Sequence, residues 1–302
     1  MTKPDFFIIG APKCGTTSLI YYLAERDDVC ISVPKEPHFF STDLPDYRQI
    51  KDIFSYESCF DYDDNMHKST GEASTWYLFS KEAVKNILEY NPDARIIVMI
   101  RNPVEMVESL YKQYSYNLDE NANSLEEAWS LQDSRLLGEN IPNGFEEPSR
   151  LQYRKVCELS TQLERTIRQV DRDKLKIILF DDFRNNTKKI YDEVVEFLGL
   201  PEAKKNNFPI YNTRKDNRSE KLAIFLKNNA VFSAFVKNIK KIFNIQSIGL
   251  VEWILKFNVR SSGSSGSPGK SEEFHRQLIE HFRDEISKIE KILNVDLDHW
   301  RE

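Results

Sequence analysis

Phe6-Phe-Ile-Ile-Gly10 is a short apolar run closed by glycine, and a loop of small residues follows it, Ala11-Pro-Lys13-Cys-Gly15-Thr16-Thr17-Ser18. A helical pattern over 19–25 comes next. This order constrains the chain more than any other feature it has. An uninterrupted apolar strand needs cover on both faces, as in a parallel sheet. Thr16, Thr17 and Ser18 are candidate caps for the helix. Backbone N–H groups in such a turn point toward the helix start and, with the helix dipole, form an anion site. The segment predicts a strand, a phosphate-type loop and a helix at the head of an α/β domain.

The rest of the chain repeats the alternation. Residues 94–100 and 175–180 read as strands, and 103–116 and 187–198 as helices, with Pro103 in a first turn and Gly199 near an end. Residues 219–259 carry apolar stripes broken by Lys and Asn and predict several helices. Residues 260–271 are rich in Gly and Ser, and 272–293 read as a last helix. The expected fold is α/β: one P-loop-like domain over 1–302, with a mostly parallel central sheet flanked by helices and a helical C-terminal region.

Gly10 and Gly15 have the spacing of the nucleotide-binding pattern G-x-x-x-x-G-K-[ST], but Thr16 stands where that pattern has lysine. The lysine lies inside the loop instead, at Lys13. A nucleoside triphosphatase would lack its phosphate-clamping lysine in the expected place. Pro12-Lys-Cys-Gly-Thr-Thr-Ser18 resembles instead the 5′-phosphosulfate loop of sulfotransferases that use 3′-phosphoadenosine-5′-phosphosulfate (PAPS), a pattern close to K-x-G-T-[ST]. Arg101-Asn-Pro-Val-Glu-Met-Val-Glu-Ser109, after the second strand, resembles the 3′-phosphate motif of that family. Lys35-Glu36-Pro-His38-Phe-Phe40 is similar to the K-E-x-H-F-F segment of glycan sulfotransferases and bacterial relatives. Gly71-Glu72-Ala-Ser74-Thr-Trp-Tyr77 is similar to an acceptor-side segment of the bacterial ones. One departure is Ala73, where vertebrate glycan enzymes of this type carry a lysine.

The resemblance implies a reaction and a set of roles. Lys13, Cys14, Gly15, Thr16, Thr17 and Ser18 would bind the donor's 5′-phosphate, with Lys13 reaching the oxygen between phosphorus and sulfur as the catalytic lysine. Arg101 would offer a forked donor to the 3′-phosphate and Ser109 a hydroxyl. Sulfuryl transfer from PAPS, leaving PAP, would proceed by in-line displacement, with charge on the leaving oxygens met by Lys13 and the helix N-terminus; no metal is implied, because Lys13, Arg101 and backbone amides can meet the donor's phosphate charges. The acceptor needs a base. Glu36 is the first candidate, and partial burial raising its pKa would help it. His38 is second, against the reading of a packed histidine. Glu72 is third, against a capping or salt-bridging role. Glu36, His38, Glu72 and Ser74 are the candidate acceptor contacts. The stretch 260–271 resembles the family's loop over the 3′-phosphate, with Gly266, Ser267, Gly269 and Lys270 as contacts; the alternative is a surface linker. On that reading 219–271 is a cofactor-covering subregion.

Composition narrows the partners. The formal net charge is −6 and the pI near 5.6, which weighs against nucleic acid and against long polyanionic glycans. Cys14, Cys30, Cys59 and Cys157 form no C-x-x-C pair, and no His cluster has metal-ligand spacing. Scattered thiols point to a reducing compartment. The start lacks a signal-peptide pattern, and no apolar run is long enough to span a bilayer, so a cytoplasmic protein without stable membrane insertion is expected. The expected acceptor is a hydroxyl or amine of a small natural product or metabolite, a cationic one included, with a glycan or lipid-linked sugar as the alternative. Two readings from other classes stand beside these: a P-loop kinase or hydrolase, and a non-catalytic nucleotide-binding protein.

Overall fold

Five strands form one parallel sheet in the order β2-β3-β1-β4-β5: β1 Phe6–Gly10, β2 Val29–Ile31, β3 Ser69–Glu72, β4 Arg95–Ile100 and β5 Leu175–Leu179. The computed structural model describes residues 3–145, 147–202, 205–209, 215–217, 259–261 and 272–302. β1 is wholly buried and lies between β3 and β4, with Phe6 opposite Gly71 on one side and Arg95 on the other. From β1 the chain builds outward first on the β3 side and then on the β4 side. The strand order therefore reverses at β1, and the loops leaving β1, β3 and β4 open side by side at the carboxyl edge. That is where ligands bind in open α/β sheets.

Helices cover the sheet. Helix α1 spans Thr16–Ala24, α2 Ile53–Glu57, α3 Ala83–Tyr90 and α4 Pro103–Asn117. The Asn102 side chain caps α4 by accepting the Val104 N–H at 3.0 Å, and Pro103 occupies the first turn, where its missing N–H costs nothing. Short helices α5 Leu125–Ser130, α6 Gln132–Leu136 and α7 Tyr153–Val156 precede α8 Leu159–Gln169; α9 Phe180–Asn185 and α10 Thr187–Phe197 follow β5. The last long helix, Glu272–Leu293, is fastened to α8 by Glu285, which accepts the Ser160 N–H at 2.5 Å and its hydroxyl at 2.8 Å. Trp300 ties the end of the chain to the carboxyl edge of the sheet. Its indole N–H donates to Asp181 at 2.7 Å, and its carbonyl accepts from Asn102 at 3.0 Å. Among the described residues no helix is long and apolar enough to cross a membrane.

The expected parallel α/β sheet with flanking helices is the observed one, and three local differences have physical causes. Helix α1 begins at Thr16, not at 19, with left-handed Gly15 as its N-cap, so Thr16, Thr17 and Ser18 form its first turn instead of capping it. Phe180 opens α9 and does not end β5. β2 and β3 escaped the apolar-run criterion: β2 has three residues, and β3 reads Ser-Thr-Gly-Glu yet is buried throughout. Gly71 is required there because a β-carbon would overlap the Phe6 ring. Residues 215–217 and 259–261 pair as a small antiparallel ribbon. The helices expected over 219–259 and the Gly/Ser-rich contacts Gly266, Ser267, Gly269 and Lys270 lie outside the described residues, and so does most of the expected subregion 219–271.

Gly10 has φ of +142°, and a β-carbon on it would fall 2.6 Å from the Thr75 carbonyl oxygen. Gly10→Ala should therefore destabilise the fold by about 1–3 kcal/mol, the scale of a strained backbone position. Urea unfolding measures this, and a change within about 0.5 kcal/mol, as at an ordinary surface site, would contradict it.

Candidate active site

The loop between β1 and α1 presents an open helix start. Gly15 has φ of +87° and no side chain to cap the helix, and the first turn holds no acidic residue. The leading N–H groups of a helix have no intrahelical acceptors, so this end favours an anion. A β-carbon on Gly15 would sit 3.0 Å from the Phe180 ring, which fixes how closely the loop lies on α9. Cys14 points inward, its Sγ 3.4 Å from the Pro12 carbonyl; burial pushes its thiol up to about 12, so it stays protonated and inert.

Lys13 is half-buried and makes no salt bridge among the described residues. Burial, and then the charge of Arg101, hold its pKa below the ordinary lysine value, while Glu36 pulls the other way. Lys13, Arg101, Glu36 and Lys35 therefore share one electrostatic neighbourhood, although they come from the loops after three different strands. Arg101 leaves the end of β4. It donates to Glu105 from Nε at 2.7 Å and reaches the Lys13 carbonyl from Nη1 at 3.4 Å. Its guanidinium carbon lies 4.8 Å from the centre of the Phe180 ring. Ser109 is half-buried on α4, one turn beyond Glu105 and on the same face.

The loop after β2 carries the carboxylate. Lys35 ion-pairs with Glu36 and donates to the Thr17 hydroxyl at 3.0 Å, joining the anion loop to Glu36. The other Glu36 oxygen meets His38 Nε2 at 3.1 Å and accepts from the Thr75 hydroxyl at 3.2 Å. Glu36 is 27% exposed at its side chain. Burial works to raise its pKa, but the His38 contact and the Lys35 ammonium outweigh it and hold the carboxyl at about 2. The raised pKa that would help a base is thus not what this arrangement gives. His38 is only 2% exposed, packed 4.6 Å from the Tyr47 ring and 6.0 Å from the Tyr77 ring, and burial keeps its pKa below the ordinary histidine value. Lys35 had no role assigned from sequence. Its signal was its place at the head of the K-E-x-H-F-F segment, but the bridge to Thr17 is tertiary.

Glu72 and Ser74 lie beneath that loop. Glu72 is 0% exposed and accepts from Tyr56 at 2.8 Å, Ser74 at 2.5 Å and Tyr77 at 3.1 Å. Ser74 in turn accepts the His38 N–H at 3.0 Å, and Tyr77 the Phe40 N–H at 3.2 Å. The buried carboxyl therefore braces the two hydroxyls from which the 38–40 backbone hangs. Two features elsewhere carry none of these residues. One is a groove along the open edge of β5, lined by Lys176, Ile178, Lys189, Glu193 and Leu293. The other is the carboxylate group Glu290, Asp296 and Asp298; Arg301 already pairs with Glu290 at 2.5 Å and with Asp298 at 2.6 Å.

Comparison with known proteins agrees with this layout. The family model described as "Sulfotransferase domain" matches residues 3–237. Carbohydrate sulfotransferase 15 of Mus musculus is 26% identical over 274 residues, covering 70% of this chain and 47% of the relative. The chain thus spans about half the length of that relative. Heparan sulfate glucosamine 3-O-sulfotransferase 6 of Homo sapiens is 32% identical over 114 residues, 36% of this chain and 30% of that one. The crystal structure of a sulfotransferase from Alicyclobacillus acidocaldarius matches with a TM-score of 0.68 at 24% identity, covering 100% of both chains, a likeness of fold.

The Glu72 brace has a pH signature. Burial raises its carboxyl from 4.5 to about 7, against the pull of the Ser74, Tyr56 and Tyr77 hydroxyls. A group that holds its proton more tightly when folded stabilises fully below its unfolded pKa, and that contribution is lost as pH rises through the folded one. Thermal unfolding of wild type and Glu72→Gln is compared from about pH 4 to about pH 8. Wild type should lose ground to the variant between about 4.5 and about 7, by on the order of 3 kcal/mol in all, and run parallel above that. A difference independent of pH would contradict the buried-acid reading.

Proposed function

The chain belongs to the sulfotransferase domain family, and on that premise we propose that it moves a sulfuryl group from PAPS to an acceptor hydroxyl, leaving PAP. One observation carries the reading: the uncapped, acid-free start of α1 stands among three cations, Lys13, Lys35 and Arg101, with the ionised Glu36 beside them. A kinase or hydrolase of the P-loop type is less well supported, because Thr16 occupies the place of its lysine.

PAPS would supply the transferable sulfuryl group, and this chain's residues would do the rest. The N–H groups of the loop and Lys13 meet negative charge growing on the leaving 5′-phosphate, which lowers the barrier because the dipoles are already in place. Gly15, Thr16, Thr17 and Ser18 line that phosphate site, with Cys14 contributing backbone only. Arg101 and Ser109, on one face at the end of β4 and along α4, suit the 3′-phosphate. Glu36 takes the acceptor proton. Held at about 2, it is a weak base while Lys35 is paired with it. A phosphate that draws the Lys35 ammonium toward Thr17 would free the carboxylate and strengthen it. His38 orients Glu36, and Glu72 and Ser74 support the loop from below. No step requires a metal.

The relatives are named as carbohydrate and heparan sulfate sulfotransferases, which favours a sugar hydroxyl as acceptor. The net charge of −6 favours a short sugar or small metabolite over a long polyanion. The four cysteines are all buried and free, in keeping with a reducing, cytoplasmic setting.

Transfer of labelled sulfate from PAPS tests the division of labour. Lys13→Ala should cut kcat by roughly 10²-fold or more, as for other lost transition-state donors, with a smaller loss of nucleotide affinity. Glu36→Gln should bind nucleotide almost normally yet fail to transfer, and an acceptor already ionised at the assay pH should restore much of its rate but little of the Lys13 variant's. Equal responses of both variants to acceptor pKa would sink the assignment. Arg101→Ala should weaken PAP binding by about 1.5–3 kcal/mol, as for hydrogen bonds to charged groups. It should spare an analogue without the 3′-phosphate; equal losses for the two nucleotides would remove Arg101 from that site.

A further inference from the structure

Arg150 lies on a 3-10 turn, Pro148–Leu151, and is 9% exposed. Its guanidinium carbon sits 3.6 Å from the centre of the Tyr47 ring, 4.7 Å from Trp76, 5.3 Å from Phe145 and 5.8 Å from Tyr114. Among the described residues no carboxylate pairs with it, and its Nε is buried without a hydrogen-bond partner. Among the described residues, the buried Arg135 and the half-buried Arg165 have acceptors. Arg135 pairs with Glu120 and also donates to Asn121 at 2.9 Å and to the Asn140 carbonyl at 3.2 Å. Arg165 donates to the carbonyls of Leu78, Phe79 and Ser80. Ring faces attract a guanidinium to its flat sides but leave its in-plane N–H donors unsatisfied.

The cage is one ring away from the carboxylate at the centre of the site. Tyr47, which carries Arg150 on its face, also packs 4.6 Å from the His38 ring, and His38 holds Glu36. Trp76 adjoins Thr75, whose hydroxyl donates to Glu36 at 3.2 Å. His38 Nδ1 is also buried without a hydrogen-bond partner.

We propose that Arg150, walled by Tyr47, Trp76 and Phe145, anchors a carboxylate carried by the acceptor, so that the acceptor is an acidic molecule such as a uronic-acid sugar. The fork of a guanidinium matches a planar carboxylate with two parallel hydrogen bonds, and its sandwich between rings holds that fork in one plane. An acceptor clamped there by its acid group would place a neighbouring hydroxyl toward Glu36. The cationic acceptor admitted from sequence does not suit this side of the site. The inference rests on the sulfuryl-transfer reading, and its test separates the two.

The full chain, saturated with PAP, is titrated calorimetrically with 4-nitrophenyl β-D-glucuronide and with 4-nitrophenyl β-D-glucoside, which differ only in carrying a carboxylate or a hydroxymethyl group on the sugar ring. Wild type should bind the glucuronide at least tenfold more tightly. Arg150→Met, which keeps bulk without charge, should abolish that preference, Arg150→Lys should retain a reduced one, and PAP affinity should be unchanged in both. Equal binding of the two probes by wild type, no binding of the glucuronide, or a preference that survives in Arg150→Met would each overturn the proposal. The wild-type comparison decides even if a variant fails to fold. Failure of wild type to bind PAP would sink the donor reading instead, and the probe comparison is then read without PAP.

Discussion

The backbone of Gly10 passes so close to the Thr75 carbonyl that no β-carbon fits between them, and the arrangement of the site follows from that approach. It brings the loop after β1 against the segment after β3. Gly15 then turns the chain into α1 beneath the Phe180 ring, from the far side of the sheet. Because β1 is the strand at which the order reverses, loops from β2, β3, β4 and β5 all reach this one turn. Lys35, Thr75, Arg101 and Phe180 come from four of those loops, and each touches the turn or a residue that does.

The charges gathered there are nearly balanced but not neutral in their arrangement. Lys35 is matched by Glu36 and Arg101 by Glu105, while Lys13 and the dipole of α1 have no carboxylate of their own among the described residues. This leaves positive potential concentrated at the helix start. The depressed Glu36 carboxyl, at about 2, has a more local cause: the His38 hydrogen bond and the Lys35 ammonium stabilise its charge more than burial disfavours it. Glu72 shows the converse. With only hydroxyl donors around it and no access to water, its carboxyl rises to about 7. Two glutamates, one in the loop after β2 and one at the end of β3, are thus driven apart by their surroundings, one ionised near the surface and one close to neutral underneath it.

Much of this was legible in the sequence where one kind of side chain did one job. β1, β4 and β5 are apolar runs that only a sheet interior accommodates, and Gly10, Gly15 and Lys13 mark the anion turn. β3 was illegible because its core side is made by Glu72 and the hydroxyls that satisfy it, a polar set that hydrophobic periodicity does not register. Helix α1 starts early because Gly15 can adopt a left-handed cap that threonine would resist. Lys35 and Arg150 went unread for another reason. The bridge from Lys35 to Thr17, and the rings around Arg150 drawn from four separate segments, exist only once distant loops have met.

The central claim is that the turn between β1 and α1 holds a 3′-phosphorylated adenosine nucleotide through this chain's own cations. Calorimetric competition between PAP and ADP on wild-type protein, with and without magnesium, tests it most directly. The account predicts that PAP binds at least tenfold more tightly than ADP and that magnesium leaves its affinity unchanged. Tighter binding of ADP or ATP, strengthened by magnesium and accompanied by release of inorganic phosphate from ATP, would contradict it.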